Sequence, residues 1–263
     1  MDLGLEGRCA LVPAASAGIG KAIAIALARE GCRVAICSRD RGRIDAAASE
    51  IHSVTGAEVL ALKADITRPE EIDSWVSAAA SRFGRVDILV TNAGGPPAGA
   101  SGDADDAAWR GAVDLTLLSV VRLCRAVIPA MRHARWGRIV HLASVTVREP
   151  LDRMVLSNSL RAAVAGFSKT LARELGPEGI TSNVVCPGPT DTTRLRELAE
   201  ELAQTRGTDA GEILAAWSRE IPAGRLGRPE EIADLAAFLC SERAAFINGT
   251  VIAADGGFTR AIM

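Results

Sequence analysis

The chain has 263 residues, with 30 Lys and Arg against 32 Asp and Glu and a formal net charge of −2. That balance excludes a broad nucleic-acid surface, which needs a basic excess, and the length suits one large α/β domain. Hydrophobic residues make up 48% and mean hydropathy is +0.18, enough apolar material for a sizeable core. No apolar run approaches the roughly 18 residues of a membrane span, and residues 1–8 are too short and acidic for a signal segment. The expectation is a soluble, cytoplasmic protein with neither a membrane nor a nucleic acid as partner.

The elements, in chain order, alternate short apolar runs with helical patterns. Strands are expected at 9–12, 33–37, 58–63, 88–91, 138–142, 181–186 and 250–253, and helices at 18–29, 43–54, 69–82, 105–131, 154–175 and 229–239. The strands run mostly apolar rather than alternating, as in parallel sheets covered on both faces. Repeated strand–helix–strand units imply right-handed crossovers and a doubly wound (Rossmann) sheet of seven mostly parallel strands, in a single domain over residues 1–263. Thr67, with Glu70 three residues on, reads as a capping box for the third helix. Residues 190–227 break the rhythm: they are charged and helix-prone (194–205, 210–220), and no strand follows directly. This stretch is either a helical lid over a site or a surface excursion, and long insertions in compact domains favour the lid.

The six cysteines (9, 32, 37, 124, 186, 240) form no C-x-x-C pair and read as reduced thiols packed as small hydrophobes. Cys186, a lone strand-end thiol, is read the same way. The three histidines (52, 133, 141) have no ligand spacing, so no metal is expected. The four tryptophans at 75, 109, 136 and 217 read as packing.

After the first strand comes Pro13-Ala14-Ala15-Ser16-Ala17-Gly18-Ile19-Gly20, then a helix. A glycine-bearing turn there lets backbone N–H groups and the helix dipole meet a pyrophosphate. At this turn the chain resembles the short-chain dehydrogenases/reductases, whose usual wording is T-G-x-x-x-G-I-G. Pro13 and Ala14 stand where Thr and Gly are usual, which can weaken or shift the dinucleotide without abolishing it.

The second strand ends Cys37-Ser38-Arg39, and an arginine there suits the 2′-phosphate of NADP rather than NAD, unless it is an ordinary surface arginine. NAD remains possible. The resemblance covers essentially the whole chain. It implies that Asp65 and Ile66 meet the adenine, that Asn92, Ala93 and Gly94 floor the nicotinamide ribose, and that Pro187, Gly188 and Thr192 meet the nicotinamide end. Ala14, Ser16, Gly18, Ile19 and Gly20 complete the cofactor set. Residues 94–99 either rim the pocket or merely connect elements. Gly227-Arg228-Pro229-Glu230 and Asp255-Gly256-Gly257-Phe258 extend the likeness. By the same resemblance, the helices at 105–131 and 154–175 and the last strand are expected to build a homodimer or homotetramer.

The catalytic slots depart from the family, which uses Ser, Tyr, Lys and Asn. Aligning Ala162 to Phe167 leaves Ser144 in place, and puts Ser157 in the tyrosine slot, Arg161 in the lysine slot and Asp114 in the asparagine slot. The chain contains no tyrosine, so no realignment restores the phenol. Ser157 and Arg161 are four apart and share a helix face. An alkanol is too weak an acid to protonate unaided, and a guanidinium stays charged, so it binds an oxygen, a carboxylate or a phosphate but does not supply a proton. Asp114 is either an acid/base or the partner of Arg161. His141 lies three residues before Ser144, an odd offset that points it to the other face of the sheet.

Three readings stay open. One is an oxidoreductase acting on a carbonyl or alcohol of a small molecule, 3-oxoacyl-carrier-protein-reductase-like. Another is a cofactor-binding sensor without chemistry. The last is a dehydratase, isomerase or lyase that uses Arg161 and Asp114.

Overall fold

Seven strands are present in the computed structural model, which describes residues 1–262: β1 (Cys9–Pro13), β2 (Arg33–Ser38), β3 (Val59–Lys63), β4 (Ile88–Thr91), β5 (Gly137–Leu142), β6 (Ile180–Pro187) and β7 (Val251–Ala254). Nine α-helices are interleaved among the described residues: α1 (Gly18–Arg29), α2 (Arg41–Thr55), α3 (Pro69–Phe83), α4 (Asp106–Val113), α5 (Ser119–Ala134), α6 (Val155–Leu175), α7 (Thr193–Arg206), α8 (Ala210–Glu220) and α9 (Pro229–Leu239). The strands form one sheet in the order β3-β2-β1-β4-β5-β6-β7, every neighbouring pair parallel. The expected Rossmann architecture is therefore present.

Strand residues alternate between two cores. Ala10, Val12, Val34 and Ile36 pack on α1, α2 and α9, whereas Cys9, Leu11, Ala35 and Leu89 pack on α3, α5 and α6. With both faces covered, most strand positions are apolar, and the polar ones, such as Thr91, His141 and Ser182, are buried and hydrogen-bonded to one another. Winding runs outward from β1 to β3, then restarts at β4 on the other side of β1. The carboxyl ends of β1 and β4 therefore diverge and leave the crevice that open α/β sheets use for ligands.

Four local expectations need correction. The third helix is not opened by a Thr67–Glu70 box. Its N-cap is Arg68, followed by Pro69, while the Thr67 hydroxyl donates to Asp65 (2.8 Å) and Glu71 accepts from the Asp65 N–H (2.7 Å). Asp65 offers a nearer acceptor than the helix terminus, so the turn folds on itself. The helix expected over 105–131 is two helices joined by a π-turn at Asp114–Leu118, and α5 continues to Ala134 despite Pro129. The 43–54 helix starts earlier, at Arg41, because Asp40 caps it by accepting from the Arg43 N–H (2.9 Å). Asp114 does not pair with Arg161: it accepts from Arg122 Nη2 at 3.1 Å.

The cysteines are all buried and unpaired with one another. Trp75 is core, Trp217 packs between α7 and α8, and Trp136 lies under the guanidinium groups of Arg8 and Arg138, whose carbons are 3.7 and 4.4 Å from the ring centroid. None of the helices among the described residues is long and apolar enough to cross a membrane.

His141 sits on β5, fully buried, between Thr91 Oγ1 (3.0 Å from Nδ1) and Ser182 Oγ (3.1 Å from Nε2). Burial pushes its imidazole down to about 3, so it stays neutral in the folded chain. The unfolded chain takes up this proton near pH ~6.5. Stability is therefore fully present above that pH and falls by about 1.4 kcal/mol per unit toward about 3. Urea unfolding at pH 7 and pH 5 is expected to show a His141 share of roughly 2 kcal/mol. That share is the difference between the wild-type slope and the slope of His141→Asn; identical slopes contradict it.

Candidate active site

The crevice at the carboxyl ends of β1, β4, β5 and β6 has a volume of about 980 Å³. Its floor begins at the β1–α1 turn. Ala14 adopts φ +50° and Gly18 φ +57°. A left-handed alanine costs about 1–2 kcal/mol, so the turn keeps its shape despite the extra methyl group. Asn92 holds it: Nδ2 donates to the carbonyls of Pro13 (3.2 Å) and Ala14 (3.1 Å). Gly20 lies directly beneath, where a Cβ would stand 2.4 Å from Asn92 Nδ2 and 2.8 Å from the Ala14 carbonyl oxygen.

The α1 N-terminus has no side-chain cap and no acidic residue in its first turn, whereas α2, α4, α7 and α8 are capped by Asp40, Asp105, Thr192 and Asp209. Its leading N–H groups and dipole thus face the crevice unanswered, the condition for binding a phosphate. These residues fit a dinucleotide.

At one end of the crevice lie Ser38, Arg39, Asp40, Arg43, Asp65 and Ile66. Burial alone raises the Asp65 carboxyl, but the N–H and hydroxyl of Thr67, with Arg39 nearby, outweigh it and hold the carboxyl below its usual range. Arg43 was not foreseen as a site residue. Its position four residues after Arg39, on the first turn of the helix that follows β2, was the available signal.

Toward the other end, Ala93 and Gly94 floor the crevice, and Gly188 lies so close to Asp255 that a Cβ would meet its Cβ at 2.6 Å. Pro187 and Thr192 border the same end, and Gly94, Gly95 and Pro96 of the 94–99 loop form part of the rim. Every residue expected to hold the cofactor lines this one crevice: Ala14, Ser16, Gly18, Ile19, Gly20, Arg39, Asp65, Ile66, Asn92, Ala93, Gly94, Pro187, Gly188 and Thr192.

Three of the four catalytic-slot residues line it too: Ser144, Ser157 and Arg161. Ser144 follows β5 and accepts from the Thr146 N–H (3.3 Å), and Thr146 Oγ1 lies 3.4 Å from Ser157 Oγ, so Thr146 couples the two serines. Thr146 was missed, because the resemblance offers no slot for it. Arg161 Nη1 donates to the carbonyls of Leu142 (3.2 Å) and Ala143 (2.8 Å), which fixes the side chain against the end of β5. Burial pulls its pKa downward. Its Nε and the Thr116 hydroxyl, both buried without a partner, border a small cavity of about 10 Å³ behind the guanidinium.

Asp114 is the exception: it is not among the lining residues, and its place on the wall is taken by Leu115. The π-turn rotates the carboxylate outward to Arg122. His141 is below the sheet surface, and Cys186 is buried with its thiol pushed up to about 11 by burial. No proton donor of useful acidity therefore lines the catalytic end of the crevice.

Beside the crevice lies α7, which shares a small core of Ala199, Ala203 and Ile213 with α8. Their stem is pinned where the Asp191 N–H donates to the Gly227 carbonyl (2.8 Å) and the Gly227 N–H to that of Pro189 (3.0 Å). Thr193, Arg194, Leu195 and Leu198 of α7 border the crevice.

A single parallel sheet with a dinucleotide cradle at its switch point and a Ser-bearing wall beside it defines a nucleotide-dependent oxidoreductase fold. The chain matches the enoyl-(acyl carrier protein) reductase family model over residues 14–259. It is 38% identical over 256 residues to the 3-oxoacyl-[acyl-carrier-protein] reductase FabG of Escherichia coli (strain K12), covering 97% of this chain and 98% of that one. It superposes on L-sorbose reductase from Gluconobacter frateurii, solved with NADPH and L-sorbose, with TM-score 0.96 and 36% identity over 100% of both chains. A further likeness is to YwfH, an NADPH-dependent reductase of bacilysin biosynthesis, with TM-score 0.92, 29% identity and coverage of 97% and 99%. The chain belongs to the short-chain dehydrogenase/reductase family, and within it is 3-oxoacyl-carrier-protein-reductase-like.

Proposed function

We propose that this chain binds NADP(H) and reduces a carbonyl group of a small molecule, with a catalytic set reduced to Ser144, Ser157 and Arg161. The observation that carries this reading is the single crevice in which the uncapped α1 N-terminus, Arg39 and Arg43, and these three side chains all meet. Arg39 and Arg43 hold the 2′-phosphate, the turn from Ala14 to Gly20 holds the pyrophosphate, and Asn92 to Gly94 with Pro187 and Gly188 seat the nicotinamide end. Bound there, the dihydronicotinamide supplies a hydride. The Ser144 and Ser157 hydroxyls hold the substrate oxygen and donate to the negative charge that builds on it, while Arg161 binds the substrate beside them.

The proton comes from water, which leaves as hydroxide, because Asp114, His141 and Cys186 all lie off the crevice wall. The same placement of Asp114 removes the acid/base group that a dehydratase, isomerase or lyase reading requires.

Around this site, α7 and α8 over 190–227 act as the substrate lid. The chain works as a homo-oligomer, a dimer or tetramer through α4 to α6 and β7, next to which Phe246 is fully exposed. A cytoplasmic setting accords with six buried, unpaired thiols.

Arg39→Ala is expected to weaken NADPH by about tenfold or more while leaving NADH within about twofold, as loss of a charge-assisted phosphate contact requires. Calorimetric titration of both nucleotides reads this. Equal losses for the two contradict the 2′-phosphate assignment, and NADPH binding without turnover of any keto substrate moves the chain to the sensor reading.

A further inference from the structure

The catalytic wall of the crevice carries one cation with no protein counterion among the described residues, Arg161. Arg194, at the start of α7, also lines the crevice but is paired. Arg194 is exposed and its Nη1 lies 3.6 Å from Glu197 and 3.7 Å from Glu201 on α7. Arg161 has no carboxylate within ion-pair distance among the described residues, and the only acids lining the crevice, Asp40 and Asp65, lie at its other end, by Arg39. In the family pattern, the phenol beside this position is the group that turns anionic; here a serine stands in its place.

The guanidinium is fixed. Nη1 is held by two carbonyls and Nε is buried, so Nη2, which has no hydrogen-bond partner among the described residues, is the nitrogen left for a ligand. The crevice wall to which Arg161 belongs also presents apolar side chains, Leu115, Leu142, Met154, Leu195 and Leu198, beside Ser144 and Ser157. A permanent charge in such a wall attracts an anion far more strongly than it would in open water. A neutral hydroxyl leaves that charge uncompensated.

We infer that Arg161 is an anchor for a substrate carboxylate, and that the chain takes a free keto acid with an apolar body rather than a neutral ketone or ester. The inference rests on the crevice being a substrate site, as proposed above, and adds the class of substrate. The carboxylate accepts from Nη2, the apolar chain lies along the leucines under α7, and the carbonyl oxygen meets the two serine hydroxyls. Bond making is unchanged: hydride to carbon, a proton from water to oxygen, and NADPH oxidised as the ketone becomes an alcohol.

The test is calorimetric titration of 3-oxohexanoate and of its methyl ester into wild type, Arg161→Gln and Arg161→Lys, each with and without saturating NADP⁺. The oxidised nucleotide prevents turnover, so binding alone is read. Wild type is expected to bind the acid at least about tenfold more tightly than the ester, the gain typical of a hydrogen bond between charged groups. The preference should vanish in Arg161→Gln and survive in part in Arg161→Lys, with circular dichroism confirming that both variants are folded. Equal affinity for acid and ester, no binding of the acid, or a preference that persists in Arg161→Gln overturns the inference. The two readings fail separately. An acid preference without NADP⁺ binding leaves the carboxylate anchor standing and removes the reductase, while NADP⁺ binding without an acid preference does the reverse.

Discussion

Replacing Ser157 by tyrosine and Arg161 by lysine together is expected to raise the rate of carbonyl reduction by about 10² to 10⁴-fold, the range a positioned general acid contributes. The crevice already holds everything else such an acid needs. Ser157 is on the buried face of α6 and lines the site, one helical turn before Arg161 and opposite Ser144. A phenol titrates near 10 in isolation, and an adjacent ammonium lowers it toward neutrality. Both changes are required. Arg161 is tied through Nη1 to the Leu142 and Ala143 carbonyls, so a tyrosine alone meets a cation that is already committed to the end of β5. The assay is loss of NADPH absorbance with 3-oxohexanoate and, separately, with a β-keto thioester. A folded double variant that binds NADPH yet turns over no faster than wild type contradicts the oxidoreductase reading.

The second large effect belongs to Gly20. Gly20→Ala puts a methyl carbon 2.4 Å from Asn92 Nδ2 and 2.8 Å from the Ala14 carbonyl oxygen. Side-chain adjustment relieves the first contact; the second involves backbone and does not yield without opening the turn. Overpacking of this kind costs roughly 1–3 kcal/mol. Because the turn is the pyrophosphate cradle, the loss should fall on nucleotide affinity, roughly tenfold to a hundredfold. Calorimetry with NADPH reads it, and unchanged affinity would mean that the nucleotide does not use this turn.

The fold is legible in the chain because burial on both sheet faces keeps the strands mostly apolar, and every strand candidate but the last is followed by a helical pattern. Ala10 and Leu11 point to different cores, yet both must be apolar, so the pattern survives in one dimension. The dinucleotide residues were legible for a related reason. Gly18 and Gly20 act through backbone shape, and Asn92 through a side-chain amide that ties the turn, all at fixed distances from strand ends that are written in the order of residues.

What could not be read were contacts between elements. Nothing in Val113-Asp114-Leu115 announces that a π-turn will swing Asp114 away from Arg161 to Arg122, since that depends on where α5 presents its fourth residue. Thr146 looked like loop filler because its coupling of Ser144 to Ser157 joins the end of β5 to α6 across eleven residues. Thr67 followed a capping pattern that Asp65 overrode, a competition between two local acceptors that spacing alone does not rank.

The central claim is that the turn after β1, proline and alanine included, still seats a dinucleotide in the crevice that holds Ser144, Ser157 and Arg161. Calorimetric titration of NADPH into the wild-type chain tests it most directly. Saturable binding at one nucleotide per chain, weakened in Gly20→Ala, is the predicted result. Absence of saturable binding by a folded wild-type chain contradicts the account at its base.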